Sequence, residues 1–425
     1  MTIRASAPKL AYLVSAYPAI SHTFILREIQ RLRLLGHEIV TASINRPDRA
    51  LNDMQEYERG EAERTYCVKN HGSRGAMAAL LFWFAAAPRQ LIAMLRFGFG
   101  MASFGRWWSG LAYAIEATMV ARWMRAEGVE HLHVHFGNSG ASVGVLVKKL
   151  TGCHLSYTIH GPDEFDDVPG QHLALKMHAA DVVICISQFA RGQLMRITDP
   201  SHWGKFQVCR LGVDPAQFRF HLRESCSVMQ LLCVGRLTPQ KGQVLLIQAL
   251  AKVRDASGQF HLTMVGAGPD RQRIEAEVAR LDLGERVTLT GALNQDEVRA
   301  EFDRADIFVL PSLAEGIPVV LMEAMSSGVP CVTTPVNGIP ELIRHGETGL
   351  LAVAGDVDSL AERLSRMIAT PSLRRAIAGA AREKVNRDFD LWRNVVTLGH
   401  IFDGFPPRAA MAGKPEGRLS LQPAR

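Results

Sequence analysis

Short apolar runs along most of this chain are separated by stretches in which apolar residues recur every three or four positions. Residues 10–15 form the first such run and predict a buried strand, and residues 24–35 follow with helical spacing through Phe24, Ile25 and Ile29. Gly36 ends this predicted helix, and the run HEIVTASI predicts a second strand. A strand–helix–strand order is typical of a parallel sheet, so the sequence predicts an α/β fold.

The same alternation returns twice further along the chain. Helical stretches separate the runs HLHVHF, LSYTIH and VVICIS in the first half, and MQLLCVG, FHLTMVG, RVTLTG and CVTTP in the second. The pattern breaks near 221–227, which we interpret as a linker. We predict two Rossmann-like doubly wound domains, 1–220 and 221–388, then a helix over 389–404 that crosses back to the first domain. The tail 405–425 is rich in Pro, Arg, Gly and Ala, and we expect it to be disordered.

Residues 70–110 depart from this rhythm. No Asp or Glu occurs from 64 to 115, where the charged residues are Arg64, Lys69, Arg74, Arg89, Arg96 and Arg106. One interpretation is a helical hairpin buried against the sheet. The other is a surface that settles into an anionic bilayer, with its apolar face down and its arginines at the headgroups.

Composition and charge narrow the class of protein. Of 425 residues, 47% are apolar and 21% charged, with a net charge of +6, which favours an anionic partner. Outside 70–110 the basic residues are not interleaved with aromatic ones, so we do not expect nucleic acid binding. Seven scattered cysteines without a C-x-x-C pair, no signal-peptide cleavage site and no membrane-length apolar run predict a cytoplasmic protein, peripheral on the inner face of the membrane if 70–110 binds lipid.

The stretch IFVLPSLAEGIPVVLMEAMSSG, residues 307–328, predicts a strand, a polar turn and a helix opened by Pro318. Glu315 lies in the turn and Glu323 about a turn and a half inside the helix. The free amides of Ile317 and Val319 favour an anion at this helix N-terminus. Two carboxylates beside a phosphate site are better suited to the hydroxyls on either side of it, which is the pattern of a nucleotide sugar. The alternative is that Glu315 is a capping charge and Glu323 a solvated helix residue.

Two other loops carry chemistry that suits a diphosphate. In VGRLTPQKG, Arg236 and Lys241 follow a strand and open a helix, where open α/β sheets bind ligands. In VGAGPDR, Gly266 and Gly268 allow close approach of a phosphate or ribose, and the loop from Gly291 to Leu293 could receive a base. The D-x-D spacings at 356–358 and 388–390 precede helices and predict N-caps, so we expect no metal and no cofactor.

In the first half, His133 and His135 alternate along one predicted strand, and His135 lies at its C-terminal end. We expect a core position for His133 and a site role for His135. His160 is followed by a Gly-Pro-Asp turn that would leave its ring accessible, although a turn histidine bonded to backbone is the alternative. The candidates for contact with an acceptor substrate are Tyr17, Ser21, Thr23, His135, Asp163 and Arg210.

The motifs EGIPVVLME, GRLTPQKG and VGAGPDR, followed by NGIPELI and HGETGLL, resemble the retaining glycosyltransferase family 4, which has the two-domain GT-B fold. The resemblance extends from the first strand to about Trp392. The opening YLVSAYPAISHTFILREI, together with HFG at 135–137 and HGPDEF at 160–165, is similar to the branch that builds bacterial exopolysaccharides, including colanic acid transferases.

This resemblance implies a transferase that moves a sugar from a nucleoside diphosphate, UDP or GDP, to a lipid-linked glycan in a cleft between two domains. Glu323 would bind ribose hydroxyls and Glu315 sugar hydroxyls. The implied catalytic residues are His160, Glu315, Arg236 and Lys241. The implied donor-binding residues are Glu323, Gly266, Gly268, Gly291, Leu293, Gly316, Ile317 and Val319. A nucleotide-sugar epimerase on the same fold and a non-catalytic sugar-nucleotide-binding partner remain alternatives.

Overall fold

The computed structural model describes residues 9–19, 22–101, 107–221, 227–257 and 259–405. These residues form two compact units. The first contains the chain up to Cys209 and again from Val395 onward, and the second is Arg210–Asn394. Ser21, most of the predicted linker and the predicted disordered tail from residue 406 lie outside the described residues.

The first unit is built on a seven-stranded sheet in which all paired strands are parallel. Its strands are Leu10–Ala16 (β1), Ile39–Asn45 (β2), Tyr66–Cys67 (β3), His131–His135 (β4), His154–Ile159 (β5), Val182–Cys185 (β6) and Phe206–Val208 (β7). The strand order is β3-β2-β1-β4-β5-β6-β7, so the chain reverses direction across the sheet between β1 and β4. Ligands of such sheets bind at the carboxyl ends of the strands beside this reversal.

Helices cover the sheet of the first unit. They are Thr23–Leu34 (α1), Glu56–Arg64 (α2), Gly72–Ala86 (α3), Pro88–Gly100 (α4), Trp107–Glu127 (α5), Ser139–Thr151 (α6), Leu173–Ala179 (α7) and Gln188–Ile197 (α8). All five residues of β4 are buried, as expected for a parallel strand covered on both faces. The pattern did not predict α2, α5 or the two-residue strand β3.

We call residues 70–110, which contain no Asp or Glu, the acid-free segment. Its residues 72–100 contain helices α3 and α4. One face of each is buried in the core of the unit, through Trp83 of α3 and through Leu91, Met94 and Phe97 of α4. The Trp83 Nε1–H donates to the carbonyl of Thr118 at 3.0 Å, which attaches α3 to α5. The predicted burial of this segment against the core is therefore observed for one face of each helix. None of the helices in the described part of the chain is both long and apolar enough to cross a bilayer.

The second unit contains a six-stranded parallel sheet of order β10-β9-β8-β11-β12-β13. Its strands are Met229–Val234 (β8), Phe260–Val265 (β9), Val287–Gly291 (β10), Ile307–Leu310 (β11), Cys331–Thr333 (β12) and Leu350–Leu351 (β13). Its helices are Gln243–Ser257 (α9), Arg271–Arg280 (α10), Gln295–Arg304 (α11), Val319–Ser327 (α12), Ile339–Leu342 (α13), Val357–Ala369 (α14) and Pro371–Asp388 (α15). The order reverses between β8 and β11, the strands that precede the loops around Lys241 and Glu315.

The last helix, Leu391–Asp403 (α16), ends in the first unit. Phe402 is fully buried there against the rings of Tyr12 and His133, at centroid distances of 6.2 and 5.1 Å. The predicted return of the C-terminal helix to the first domain is thus observed. The two predicted Rossmann-like domains are confirmed as two separate parallel sheets.

Two smaller predictions concern acidic residues and thiols. Asp356 caps α14, where its Oδ1 accepts hydrogen bonds from the amides of Asp358 and Ser359 at 2.9 and 3.0 Å. Asp390 accepts from the amide of Arg393 at 2.9 Å. The N-cap interpretation is confirmed for Asp356 and Asp390, whereas Asp388 is the last residue of α15, where it pairs with Lys384. The six described cysteines are buried thiols that form no disulfide with one another, as predicted, and Cys226 lies outside the described residues.

Candidate active site

Four loops converge at the carboxyl edge of the sheet in the second unit. They follow β8, β9, β10 and β11, and backbone hydrogen bonds join each loop to a neighbour. These bonds run from Leu237 N to Ala267 O (3.0 Å), from Gly266 N to Gly291 O (2.8 Å) and from Leu313 N to Gln240 O (2.7 Å). The motifs that the sequence placed on separate loops are therefore neighbours in space.

Gly266 and Gly268 hold two of these loops together. A Cβ atom at Gly266, whose φ is +144°, would lie 1.9 Å from the carbonyl oxygen of Gly235, and one at Gly268 would lie 2.2 Å from that of Leu237. No side chain fits at such distances. The sequence predicts that these glycines leave room for a phosphate or ribose. In the structure, close packing against the loop that carries Arg236 already requires glycine at both positions, and the ligand contact stays a prediction.

Lys241 and Glu315 form an ion pair between two of the loops. Nζ of Lys241 lies 2.5 Å from Oε1 of Glu315, and the Ser312 hydroxyl donates to the same oxygen at 2.7 Å. The side chain of Glu315 is 8% exposed and that of Lys241 21%. Gly242, with φ +67°, makes the turn after Lys241 and packs directly against the carbonyl of Pro311. Glu315 and Lys241, which the sequence placed on two separate loops, are thus in contact at one edge of the sheet.

Arg236 differs from Lys241 because no described carboxylate neutralises its charge. Its side chain is exposed, and no carboxylate of the described residues lies within ion-pair distance of it. The guanidinium at this loop can therefore grip an anion from solution, and its planar fork suits two oxygens of one phosphate.

Helix α12 follows the Glu315 turn. Pro318 is its N-cap residue, so the helix begins at Val319, one residue later than predicted. No side chain caps this helix, which leaves its first amides available to an anion. Glu323 is half-buried and lies four residues after Val319, on the same half-exposed face of α12. Ile317 is buried and anchors the loop, while Gly291, Leu293 and Gly316 are partly exposed.

The first unit contains a row of buried histidines along β4, His131, His133 and His135, which reaches His160 at the carboxyl end of β5. Hydrogen bonds join His131 Nε2 and His133 Nδ1 to the Ser156 hydroxyl, each at 2.8 Å, and His133 Nε2 to the Thr158 hydroxyl at 3.0 Å. His133 is fully buried, as its predicted core position requires. Burial lowers the pKa of His131 to about 3 and that of His133 well below its usual range, so both rings are neutral near pH 7.

His135 and His160 lie at the tips of these two strands. A hydrogen bond of 2.9 Å joins Nδ1 of His135 and Nε2 of His160, and the two rings stack with centroids 5.1 Å apart. Burial also lowers the pKa of His160 well below its usual range. His160 is 7% exposed, which is less than its position in a predicted open turn suggested.

Glu164 organises the loop that carries His160, and the sequence did not single it out. Its Oε2 accepts from the amides of His160 (2.6 Å) and Gly161 (2.9 Å), and its Oε1 from the amide of Gly137. Buried Lys176 donates to the carbonyls of Gly137 and Asn138, both at 2.8 Å. These two charged side chains fix the loops after β4 and β5 to each other.

Sequence signals for the missed residues exist. The segment Gly161–Glu164 has capping-box spacing, because a Glu stands three residues after the residue that precedes the short helical turn. Lys176 and Glu28 are charged residues on otherwise apolar helix faces, a position that costs free energy unless the charge has partners.

Donor atoms for a metal ion also occur in this cluster. Among the described residues, one group qualifies, in which ligand atoms of Glu28, His133 and His135 all lie within 4.8 Å of one another. Hydrogen bonds already engage two of its members. Both nitrogens of His133 are bonded to hydroxyls, and Glu28 Oε1 accepts from the Tyr12 hydroxyl at 2.9 Å. Hydrogen bonding accounts for most of this group without a metal.

The remaining acceptor-side candidates differ in their surroundings. Tyr17 is buried, with 1% of its surface exposed, and Thr23 begins α1. The Asp163 side chain is exposed. Arg210 belongs to the second unit, where it lies 3.3 Å from Glu341 and over the ring of Phe389. Ser21 lies outside the described residues.

Two separate parallel-sheet Rossmann-like units are those of the GT-B fold, and a charged loop cluster lies at the carboxyl edge of the second. Comparison with known proteins agrees. The family model described as Glycosyltransferase Family 4 matches residues 22–217, and that described as Glycosyl transferases group 1 matches residues 218–384. The chain belongs to glycosyltransferase family 4.

Individual relatives match nearly the whole chain. The amylovoran biosynthesis glycosyltransferase AmsK of Erwinia amylovora is 30% identical over 403 residues, which cover 90% of this chain and 96% of AmsK. WcaL of Salmonella typhimurium, a glycosyltransferase named for colanic acid biosynthesis, is 27% identical over 410 residues, with the same coverages of 90% and 96%. Anabaena HepE, solved in complex with UDP and glucose, shares the fold with a TM-score of 0.68 at 16% identity and covers 93% of this chain and 100% of its own.

Proposed function

We propose that this glycosyltransferase moves a hexose-type sugar from UDP or GDP to a lipid-linked glycan during assembly of a bacterial exopolysaccharide, with retention of anomeric configuration. The names of AmsK and WcaL support exopolysaccharide assembly. The complex of HepE with UDP and glucose supports a nucleotide-sugar donor.

One observation carries the assignment of the donor site, the contact between Lys241 and Glu315 beside the exposed guanidinium of Arg236. An ammonium group has three donors, and Lys241 uses one of them on Glu315. The others can bind phosphate oxygens while the carboxylate accepts from a sugar hydroxyl. Negative charge develops on the diphosphate as it leaves, so two fixed cations stabilise the transition state directly.

The other donor contacts follow from the same loops. The amides of Gly316, Ile317 and Val319 lie at or next to the uncapped start of α12 and are suited to phosphate. Glu323 is assigned to the ribose hydroxyls, and Gly291 with Leu293 to the base. With two cations and a helix N-terminus in place, we propose that neither a metal nor a cofactor is needed. His160 of the first unit stays a predicted catalytic residue.

Binding of an anionic membrane surface is the second part of the proposal. Met77, Leu81 and Phe84 lie at i, i+4 and i+7 of α3, so they share one face, and they are 58%, 61% and 65% exposed. On α4, Ile92 and Phe99 are 46% and 52% exposed. Large apolar side chains grouped in this way indicate an interaction surface.

Charge supports lipid as the partner of this face. The exposed arginines Arg74, Arg89 and Arg96 lie on the same two helices, and no acidic residue occurs between 64 and 115. An apolar face bordered only by cations complements anionic headgroups above acyl chains. A lipid-linked acceptor would be presented at the same surface.

Binding and transfer by the full chain test the donor site. We expect thermal stabilisation by UDP or GDP and the matching sugar nucleotide, and retention of configuration in the product by NMR. Glu323→Gln should abolish most transfer and keep the melting temperature, whereas Glu347→Gln, at an exposed residue 66% accessible, should transfer normally. Wild-type turnover by Glu323→Gln would overturn the site assignment.

Vesicle flotation tests the membrane face. The double variant Leu81→Gln/Phe84→Gln changes only exposed side chains and should reduce flotation with anionic vesicles at least about tenfold, since it removes two apolar side chains that a bilayer would bury. Leu34→Gln, at an apolar residue of α1 that is 68% exposed, is the matched control. Equal flotation of the double variant and wild type would refute membrane binding by this face and leave the donor site unaffected.

A further inference from the structure

A line of buried polar side chains runs through the first unit to His160. The Tyr12 hydroxyl donates to Oε1 of Glu28 at 2.9 Å, and the same oxygen lies 3.4 Å from Nε2 of His135. Nδ1 of His135 is hydrogen-bonded to Nε2 of His160 at 2.9 Å. All four residues are buried, with between 0 and 7% of their surface exposed. The line therefore joins the interior of the unit to a predicted catalytic residue.

The charges and lone pairs along this line determine where the protons sit. Oε1 of Glu28 acts as an acceptor, because it receives the Tyr12 hydroxyl proton. Nε2 of His135 forms no hydrogen bond to a described residue, so its contact with that oxygen at 3.4 Å is electrostatic: a lone pair there would be repelled in a buried site, whereas an N–H is attracted. A neutral His135 therefore carries its proton on Nε2 and accepts through Nδ1. His160 must then donate through its Nε2, so its proton is on Nε2 and its Nδ1 has a free lone pair.

That lone pair has no partner among the described residues. Nδ1 of His160 makes no hydrogen bond to any described residue, although buried polar atoms normally have one. A free acceptor nitrogen on a neutral ring suits a substrate hydroxyl better than it suits a charged phosphate. The low pKa of His160, caused first by burial, keeps the ring neutral.

Aromatic side chains packed on His160 fix the orientation of its ring. Phe136 adopts a left-handed backbone conformation, with φ 69°, which is rare for a bulky residue, and its ring lies 4.5 Å from that of His160. Phe24 packs at 4.9 Å on the same imidazole. Unusual backbone angles of this kind persist where the surrounding structure enforces them, and they concentrate at functional sites.

We propose that Glu28 and His135 are positioning residues that hold His160 as the Nε2–H tautomer and present its Nδ1 as a hydrogen-bond acceptor for transfer. This rests on the proposed function only in the part that assigns His160 to catalysis. The tautomer itself is a property of the folded first unit and can be measured without any substrate.

The first measurement is the imidazole 15N spectrum of the full chain labelled at histidine, with His160 assigned by its loss in His160→Gln. We expect a protonated Nε2 and an unprotonated Nδ1 on His160 in the wild type. The opposite tautomer would overturn the proposal. Metal analysis of the same sample should find no bound metal, since one equivalent on Nε2 of His135 would require the reverse proton arrangement and would overturn it too.

The second measurement is transfer kinetics of variants at His135. His135→Leu removes both ring nitrogens and should lower kcat about 100-fold with little change in the donor KM, the effect expected for a misplaced catalytic group. His135→Asn keeps an oxygen at the position of Nδ1, which can still accept from His160, and should recover much of that loss. His178→Gln, at an exposed histidine of the same unit, is the control and should match wild type.

The outcomes separate this proposal from the role of His160. If His160→Gln lowers kcat strongly but His135→Leu does not, His160 is catalytic and the positioning proposal is wrong. If His160→Gln transfers at the wild-type rate, the assignment of His160 to catalysis fails, whatever its tautomer. Correct folding of each variant is checked by its melting temperature, and Glu28→Gln, which weakens the preference for N–H at His135, provides a second and milder change.

Discussion

The ion pair between Lys241 and Glu315 permits a quantitative test of the donor site. We consider Lys241→Met, which keeps the aliphatic stem and removes the charge. Loss of one partner from a fully buried pair costs about 3–5 kcal/mol, because the other charge is left without compensation. Here Lys241 is 21% exposed, and the Ser312 hydroxyl still donates to Glu315. Water and this hydroxyl recover part of the loss, so we expect about 2 kcal/mol.

Calorimetry of the full chain measures this cost. A loss of about 2 kcal/mol in a unit of this size should lower the melting temperature by about 4–8 °C. The double variant Lys241→Met/Glu315→Gln removes both charges and leaves a neutral amide that can still accept from Ser312. It should therefore be more stable than the sum of the single variants predicts, by about 1–2 kcal/mol. Additive effects, within about 0.5 kcal/mol, would refute the pairing.

A second ion pair of the same unit provides the control. Lys252 and Asp358 are 51% and 77% exposed, so the same cycle there should give less than about 1 kcal/mol of coupling.

Measuring the transfer rate separates an effect on stability from an effect on function. The Lys241→Met/Glu315→Gln variant should regain stability but not transfer, with kcat about 10²- to 10³-fold below wild type, because a cation that stabilises the leaving diphosphate is missing. Transfer at the wild-type rate by this stable variant would show that Lys241 does not act on the diphosphate.

Three further predictions concern glycine packing, the pH dependence of stability and metal independence. Gly338→Ala places a Cβ 2.2 Å from the carbonyl oxygen of Gly316 and should destabilise the protein by about 1–3 kcal/mol. Gly379→Ala, in open space on α15, should stabilise the protein by up to about 1 kcal/mol. Equal melting temperatures of the two variants would contradict both expectations. Below pH about 6.5, where unfolded histidine binds a proton, buried neutral His131 and His133 should make the unfolding free energy fall by up to about 1.4 kcal/mol per pH unit each. Their stability contribution is complete above that pH, so denaturant midpoints that do not drop between pH 7 and 5 would count against it. Treatment with EDTA should leave transfer unchanged, and recovery of activity only on adding a divalent metal would disprove metal independence.

Many elements of the second unit were predictable because its charged residues and glycines occur in short motifs at strand ends. The strand ending at Leu310, the turn carrying Glu315 and the helix beginning at Val319 follow directly from the apolar pattern. The order of strands along the chain also places Arg236 and Lys241 after β8, and loops after parallel strands meet at one edge of the sheet.

The glycines show where the pattern was incomplete. A Gly in a strand-end loop indicates that something approaches the backbone closely, but not what approaches. At Gly266 and Gly268 it is the neighbouring loop of the same unit, with carbonyl oxygens 1.9 and 2.2 Å from where a Cβ would stand. Only coordinates distinguish such packing from a ligand contact.

The acid-free segment shows the same limit on a larger scale. Its composition fitted both a buried hairpin and a membrane-facing surface. The structure assigns one face of α3, around Trp83, to the core and leaves Leu81 and Phe84 of the same helix exposed. Helical spacing alone cannot select the buried face when nearly every position is apolar.

The sequence by itself determined the fold class, the two-unit organisation and the residue types at the loops of the second unit, because hydrophobic period and turn residues are local properties. Tertiary structure alone decided which distant charges meet. Lys241 and Glu315 are 74 positions apart, and His135 and His160 are 25 apart. Only the structure shows that three ionisable side chains are buried, those of Glu28, Glu164 and Lys176. The sequence could not indicate their roles, because the free energy of a buried charge depends on partners that sequence spacing does not specify.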